Sequence, residues 1–103
     1  MRKGKMIAQG AHGAIMFKYG DINPITEEWH WLNGGMTKIC VRVNSEAELD
    51  EIYAKAKEAR LAVFMVTDAG HTEFHGVPTK TCLAIGPNKS EDIDKITGHL
   101  ELL

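Results

Sequence analysis

The chain has 103 residues, of which 44% are apolar, so it is long enough and apolar enough to form one compact core. Its longest apolar run, residues 61–66, is far shorter than the roughly 20 residues that a membrane-spanning helix needs. The formal charge of −2 excludes a global electrostatic attraction to nucleic acid, so any RNA contact has to come from a local basic patch. We therefore expect one domain over residues 1–103, located in the cytoplasm.

Two helices are predicted in the first third of the chain. Residues 4–18 contain small side chains suited to close packing against a sheet. They also carry an apolar stripe at helical spacing, formed by Ile7, Ala11, Ala14 and Ile15. A shorter helix should follow Pro24, because proline is favoured in a first turn, and should end at Gly34.

Three apolar runs are predicted to be strands, at residues 37–43, 61–66 and 81–85. The strand, helix, strand order across residues 37–67 predicts a parallel βαβ unit with a right-handed crossover, and the fold class is therefore α/β. In such folds ligands gather at the carboxyl ends of strands. The polar loop that begins at Asp68 is at such an end, which makes it the predicted site.

Two further helices are predicted around these strands. Ser45 and Glu48 form a capping box, which starts a helix with the apolar stripe Leu49, Ile52, Tyr53 and Ala56. Ser90 is predicted to start the last helix, whose inward side chains are Ile93, Ile96 and Leu100. Both helices have the lengths and patterns of elements that pack on a sheet.

The two cysteines are predicted to be buried thiols. Cys40 and Cys82 both lie in strand-like apolar runs, and they lack CxxC spacing. This pattern favours small buried hydrophobic side chains over a disulfide, a redox centre or a metal site.

A dense group of reactive side chains follows the strand at residues 61–66. Within Asp68–His75 lie two carboxylates, two imidazoles and a hydroxyl. One interpretation is a functional loop, and the other is a solvated turn in which Asp68 accepts hydrogen bonds from backbone amides beside Gly70. Composition alone leaves both open.

Cations surround the start of the first helix, at Arg2, Lys3 and Lys5. Because helix amides also point toward that end, the segment is suited to bind a phosphate or a developing oxyanion. A frayed basic terminus in solvent explains the same residues.

Other candidate sites have simpler explanations. His71 and His75 suggest zinc, with Cys82 or His99 as further ligands, but a loop punctuated by glycine and proline is a poor zinc motif. Trp29 and Trp31 are suited to stack on bases, although packing of a short helix is the commoner role. His12 similarly fits a hydrogen-bonded structural histidine.

Three ordered motifs make the chain similar to type II peptidyl-tRNA hydrolases. They are Met-Arg-Lys-Gly-Lys-Met-Ile-Ala-Gln-Gly-Ala-His at residues 1–12, Asp-Ala-Gly-His-Thr at 68–72, and Thr-Cys-Leu-Ala-Ile-Gly-Pro at 81–87 followed by Ile-Asp-Lys-Ile-Thr-Gly-His-Leu at 93–100. The resemblance implies a three-layer α/β/α fold with a small mixed sheet, of which this chain has three obvious strands and the family four. The family's additional strand precedes the first helix, and we expect the true start of the protein to lie upstream.

The resemblance also implies an activity and its residues. Members of this family hydrolyse the ester of peptidyl-tRNA and recycle tRNA, without an obligatory metal or organic cofactor, and they often form homodimers. By resemblance the catalytic residues are Lys5, Asp68, Thr72 and Thr81, and the substrate-binding candidates are Gln9, His12 and His71. His71 departs from the arginine that is frequent at its position, which removes a permanent charge. The alternative function is an inactive RNA-binding or protein-interaction module with the same fold.

Overall fold

The computed structural model describes residues 1–19, 25–70 and 76–103, without the side chains of residues 19 and 25. It confirms the α/β class, with four α-helices and two strands in this part of the chain. In chain order the elements are α1 (Lys3–Ile15), a short 3₁₀ helix (Met16–Tyr19), α2 (Ile25–Asn33), α3 (Glu46–Glu58), β1 (Val63–Asp68), β2 (Thr79–Ile85) and α4 (Ser90–Thr97). None of the described helices is long and apolar enough to cross a membrane.

The sheet is an antiparallel pair of strands. Val63 pairs with Ile85 and Val66 with Cys82, and the register shifts between Val66 and Thr67. An irregularity of this kind bends a strand and re-aims the side chains beyond it. Asp68, the last residue of β1, lies beyond the shift.

The predicted strand at residues 37–43 was wrong, and with it the parallel βαβ unit and the mixed sheet. Only Val41 forms a bridge, to Leu102, and Ile39 is 73% exposed. A strand needs a hydrogen-bonded neighbour along most of its length. The amide of Arg42 donates to Glu101, in the last few residues of the chain, and the described part of the chain offers this segment no longer partner.

The prediction that both cysteines are buried was wrong for Cys40, which is exposed. Its burial was expected from a strand inside the sheet, and that strand does not form. Cys82 lies on β2 and is half-buried. Both thiols are free, which confirms the preference for thiols over a disulfide.

Helix α1 packs on the sheet through a different face from the predicted one. Ile7 is 69% exposed and Ile15 is 59% exposed, whereas Gln9 and Gly13 are buried. A Cβ added at Gly13 would lie 3.3 Å from the Cβ of Ala84, so the missing side chain lets the helix approach β2 closely. The close approach of the helix backbone to the sheet, and not the apolar stripe, therefore determines which face of α1 packs on the sheet.

Helix α3 confirms its predicted start and its apolar stripe. The amide of Glu48 donates to the Ser45 hydroxyl at 3.1 Å, and three stripe residues are buried, namely Leu49, Ile52 and Ala56. The helix contacts both strands, and Asp50 pairs with Lys80 of β2. On β2, Ala84 faces α1 and Lys80 pairs with α3, and the register shift falls between these two residues. A shift of one residue reverses the face to which the following side chains point, so α3 and α1 cover opposite faces of the sheet.

Helix α2 confirms packing for one of its two tryptophans. The ring of Trp31 meets that of Phe17 edge-on, with centroids 6.0 Å apart, and its indole nitrogen donates to the carbonyl of Thr37 at 2.8 Å. Trp29 is 61% exposed, so packing does not explain it. The contact with Phe17 places α2 beside the carboxyl end of α1.

Candidate functional site

A lysine and an aspartate from distant parts of the chain meet beside the tip of β1. The Nζ atom of Lys5 on α1 lies 2.8 Å from Oδ1 of Asp68. Each side chain is 14% exposed, so the pair is largely covered yet reachable from solvent. The contact brings together two of the residues that the family resemblance names as catalytic.

The second carboxylate oxygen of Asp68 is held by the loop that follows the strand. The amide of Gly70 donates to Oδ2 at 2.8 Å. Gly70 has φ of +85°, and a Cβ at this position would lie 2.4 Å from the carbonyl oxygen of Val77. Only glycine fits this turn. The amide-capped turn and the functional loop, which the sequence left as alternatives, are therefore compatible.

These contacts favour the ionised form of Asp68. The hydrogen bond from Lys5 is the largest cause that holds its pKa below the ordinary value of 3.8, followed by the amide of Gly70. Desolvation raises the pKa, with a smaller effect than either of these two hydrogen bonds, and the charge of Lys5 and a hydrogen bond from Gln9 lower it further by smaller amounts. Asp68 is therefore a carboxylate throughout the neutral range.

Gln9 connects the aspartate to a threonine on the neighbouring strand. Its Nε2 donates to Oδ1 of Asp68 at 3.1 Å, and its Oε1 accepts a hydrogen bond from the Thr81 hydroxyl at 3.1 Å. Gln9 is 4% exposed. Its backbone carbonyl also accepts a hydrogen bond from the Cys82 thiol, with the atoms 3.3 Å apart. Three elements of the fold thus meet at one amide side chain.

A pocket of about 380 Å³ opens beside this cluster, between α1 and the end of β1. Its lining residues are Gln9, His12, Ile15, Met16, Val66, Thr67, Asp68 and Ala69. The pocket gives a substrate access to the Asp68 carboxylate, and its wall is apolar toward the carboxyl end of α1.

The structure brings together four of the predicted site residues: Lys5, Gln9, Asp68 and Thr81. His12 lines the pocket and is exposed, and its interpretation as a hydrogen-bonded structural histidine stays a prediction. The predictions for Thr72, His71 and His75 lie outside the described residues. Within residues 1–19, 25–70 and 76–103, His, Cys, Asp and Glu side chains form no group of three that could hold a metal ion.

Sequence reasoning missed the network around Gln9 and most of the pocket lining. Lys5 and Gln9 are one helical turn apart, so the spacing already placed them on one face of α1, where they could share a partner. Ile15 and Met16 carry no comparable signal, because their place in the pocket depends on how α1 docks.

Comparison with known proteins finds the same family that the three sequence motifs resemble. The family model described as peptidyl-tRNA hydrolase PTH2 matches residues 1–103. The peptidyl-tRNA hydrolase of Methanocaldococcus jannaschii is 50% identical over 106 residues, which cover all of this chain and 90% of that protein. That of Methanothermobacter thermautotrophicus is 47% identical, covering all of this chain and 89% of the relative.

A eukaryotic relative shows the same similarity at lower identity. The probable peptidyl-tRNA hydrolase 2 of Drosophila melanogaster is 42% identical over 104 residues, which cover the whole of this chain and 55% of that protein. The similarity therefore extends over both chain segments that supply the cluster, α1 and the two strands.

Proposed function

The chain belongs to the peptidyl-tRNA hydrolase PTH2 family, and we propose that it hydrolyses the ester bond between peptide and tRNA in peptidyl-tRNA, which recycles the tRNA. The proposal treats residues 1–103 as one domain. The observation that carries it is the contact between Lys5 and Asp68 beside an open pocket.

Ester hydrolysis makes defined demands on a site. A water oxygen adds to the ester carbonyl carbon, the bond from that carbon to the ribose oxygen breaks, and the ribose oxygen receives a proton. The site has to hold the water, accept its proton and stabilise the negative charge that develops on the carbonyl oxygen. A cation next to a carboxylate meets the electrostatic part of these demands.

Lys5 is the proposed stabiliser of the oxyanion. Its ammonium group is held by Asp68 rather than extending freely into solvent, so its position is set before substrate arrives. A positioned charge of this kind contributes most in a site that excludes bulk water. The 14% exposure of both side chains supports this role.

Asp68 is proposed to orient Lys5 and the attacking water. Its lowered pKa makes it a weak base, so its contribution is electrostatic and positional more than that of a strong proton acceptor. Thr81 would hold the water or the ester by its hydroxyl group. The family resemblance assigns a similar role to Thr72, and His12 and His71 remain candidates for holding the substrate.

The tRNA would be bound partly by the start of α1. Arg2 and Lys3 are exposed there, and the first turn of the helix contains no acidic residue. The positive end of the helix dipole points the same way, so a phosphate group is attracted by both. Lys3→Gln should weaken binding and reduce the salt dependence by about one phosphate contact.

The activity is tested by incubating the purified chain with labelled peptidyl-tRNA and measuring release of the peptide. We expect multiple turnovers by the wild-type chain and a loss of about 10²-fold or more in Asp68→Ala. Asp94→Ala, an exposed aspartate on α4, is the matched control and should retain full activity.

Binding of the tRNA is measured in parallel, because it separates the two functions that the sequence allows. Binding without turnover by the wild-type chain would refute the hydrolase and favour the inactive RNA-binding module. Turnover that Asp68→Ala leaves unchanged would instead refute the assignment of the site.

Location and assembly complete the proposal. We expect the enzyme in the cytoplasm, where its substrate is produced, and as a homodimer, as the family resemblance implies. Light scattering on the purified chain measures the assembly directly, and a monomeric mass would refute the dimer without affecting the catalytic proposal.

A further inference from the structure

Gln9 occupies an unusual place for a residue predicted to hold substrate. It is the one buried polar side chain among the described residues, and it lies between two groups of the proposed catalytic set. One of its N–H groups and one lone pair of its carbonyl are engaged by protein partners. We propose that Gln9 is a positioning residue, which fixes the Asp68 carboxylate and the direction of the Thr81 hydroxyl proton.

The orientation of the Gln9 amide follows from its two partners. A carboxylate oxygen only accepts hydrogen bonds, so the Nε2 group must face Asp68 and the Oε1 atom must face Thr81. The reverse orientation would place a carbonyl oxygen against a carboxylate. Gln9 therefore connects β1 to β2 by two hydrogen bonds of defined direction, in which it donates to Asp68 and accepts from Thr81.

This direction determines what Thr81 offers to a ligand. The hydroxyl has two oxygen acceptors within reach, Oε1 of Gln9 at 3.1 Å and the carbonyl of Val66 at 3.4 Å. Its single proton is used by one of them, so its remaining capacity is that of an acceptor. A water or ribose hydroxyl bound by Thr81 must then donate to it, which leaves the oxygen of that water free to attack.

The same network fixes the carboxylate. Oδ1 of Asp68 accepts from both Lys5 and Gln9, which are one turn apart on α1, and Oδ2 accepts from Gly70. With three donors the carboxylate has little freedom to rotate. Among the residues that the structure describes, the ionisable groups of this network are Lys5, Asp68 and Cys82, and His12 lines the same pocket as Gln9.

Two nearly isosteric variants separate this role from substrate binding. Gln9→Met keeps the bulk and removes both hydrogen bonds, so kcat should fall about 10- to 100-fold with KM nearly unchanged. Gln9→Glu places a second carboxylate beside Asp68, and the pair should retain a proton at raised pKa. Once protonated, the new side chain donates to Asp68 and accepts from Thr81 as Gln9 does, so kcat should recover as the pH falls.

Control variants exclude a general loss of structure. Asn88→Leu removes a hydrogen bond with the amide of Ala62, remote from the cluster, and should lower stability without changing kcat. In a Thr81→Val background the effect of Gln9→Met on kcat should be smaller, because the two residues act through one contact. A raised KM at constant kcat, or a pH profile of Gln9→Glu that matches the wild type, would overturn the proposal.

This inference rests on the proposed function for its kinetic tests, and a second readout keeps the two separable. The pKa of Asp68, followed by carbon NMR of its carboxyl group, should rise in Gln9→Met because one stabilising hydrogen bond is lost. An inactive wild-type chain would refute the hydrolase, yet the rise would still support the positioning role. An unchanged pKa of Asp68 would overturn the positioning role itself.

Discussion

Lys5 and Asp68 form a direct ion pair across 63 positions of sequence, with Nζ and Oδ1 2.8 Å apart. The pair joins α1 to the tip of β1, and Asp68 also lines the pocket. Because α1 also packs on β2 through Gly13, the position of Lys5 depends on how closely the helix lies against the sheet. The geometry of the site therefore depends on the docking of α1.

Removing the ammonium group should lower activity far more than stability. In Lys5→Met, kcat for peptidyl-tRNA should fall by about 10²- to 10³-fold, since the oxyanion loses its positive partner. The matched control is Lys55→Met, which removes an exposed lysine of α3 that pairs with Glu51 on the surface. Equal activity of the two variants would show that Lys5 has no role in the reaction.

The ion pair should make stability depend on pH in the acid range. The folded state lowers the pKa of Asp68 below 3.8, so its stabilising effect is present above that value and is lost as the pH falls through the lowered pKa. The difference in free energy of unfolding between wild type and Asp68→Asn should therefore be constant near neutrality and shrink in acid. Denaturant titrations over a series of pH values measure it. A difference that grows in acid would contradict the assigned direction.

The close approach of α1 to the sheet can be tested at Gly13. A valine there would collide with Ala84, so Gly13→Val should lose about 1–3 kcal/mol of stability and reduce activity by displacing Lys5. Gly10 lies in the same helix with open space around it, and Gly10→Val should change stability by less than about 0.5 kcal/mol. Thermal unfolding compares the two. Equal losses would contradict the account, because an added side chain meets Ala84 at Gly13 and open space at Gly10.

The two thiols should differ in reactivity. Burial raises the pKa of Cys82, and the neighbouring charge of Cys40 raises it further, against an opposing hydrogen bond from Thr81. Cys40 is exposed. Alkylation near neutral pH should modify Cys40 at least about tenfold faster, because the thiolate is the reactive form. Peptide mass spectrometry after short exposures gives both rates, and faster modification of Cys82 would contradict the burial of that side chain.

Local signals predicted the elements whose causes are local. The capping box at Ser45 and the stripe through Ile52 predicted α3, since both the cap and the buried face depend on residues within one helix. The apolar run at residues 61–66 predicted β1 in the same way. The same local reasoning was wrong for residues 37–43, because a strand also requires a hydrogen-bonded partner strand, which the segment's own sequence cannot supply.

The sequence predicted residues of the site but not the hydrogen bonds that connect them. The motifs named Lys5, Asp68 and Thr81, but spacing could not show that Gln9 would bridge two of them, since that bridge depends on the packing of α1 against both strands. The stripe through Ile7 predicted the wrong face for that packing. Contact at Gly13 corrected it, and this contact is a property of the tertiary structure.

The most direct test of the central claim is a double-mutant cycle on Lys5 and Asp68 in single-turnover hydrolysis of peptidyl-tRNA. If the pair acts as one unit, Lys5→Met and Asp68→Asn each slow the reaction strongly, and the double variant is slower than the slower single variant by no more than about threefold. Losses that multiply in the double variant would contradict the account, because they would mean that the two residues act independently.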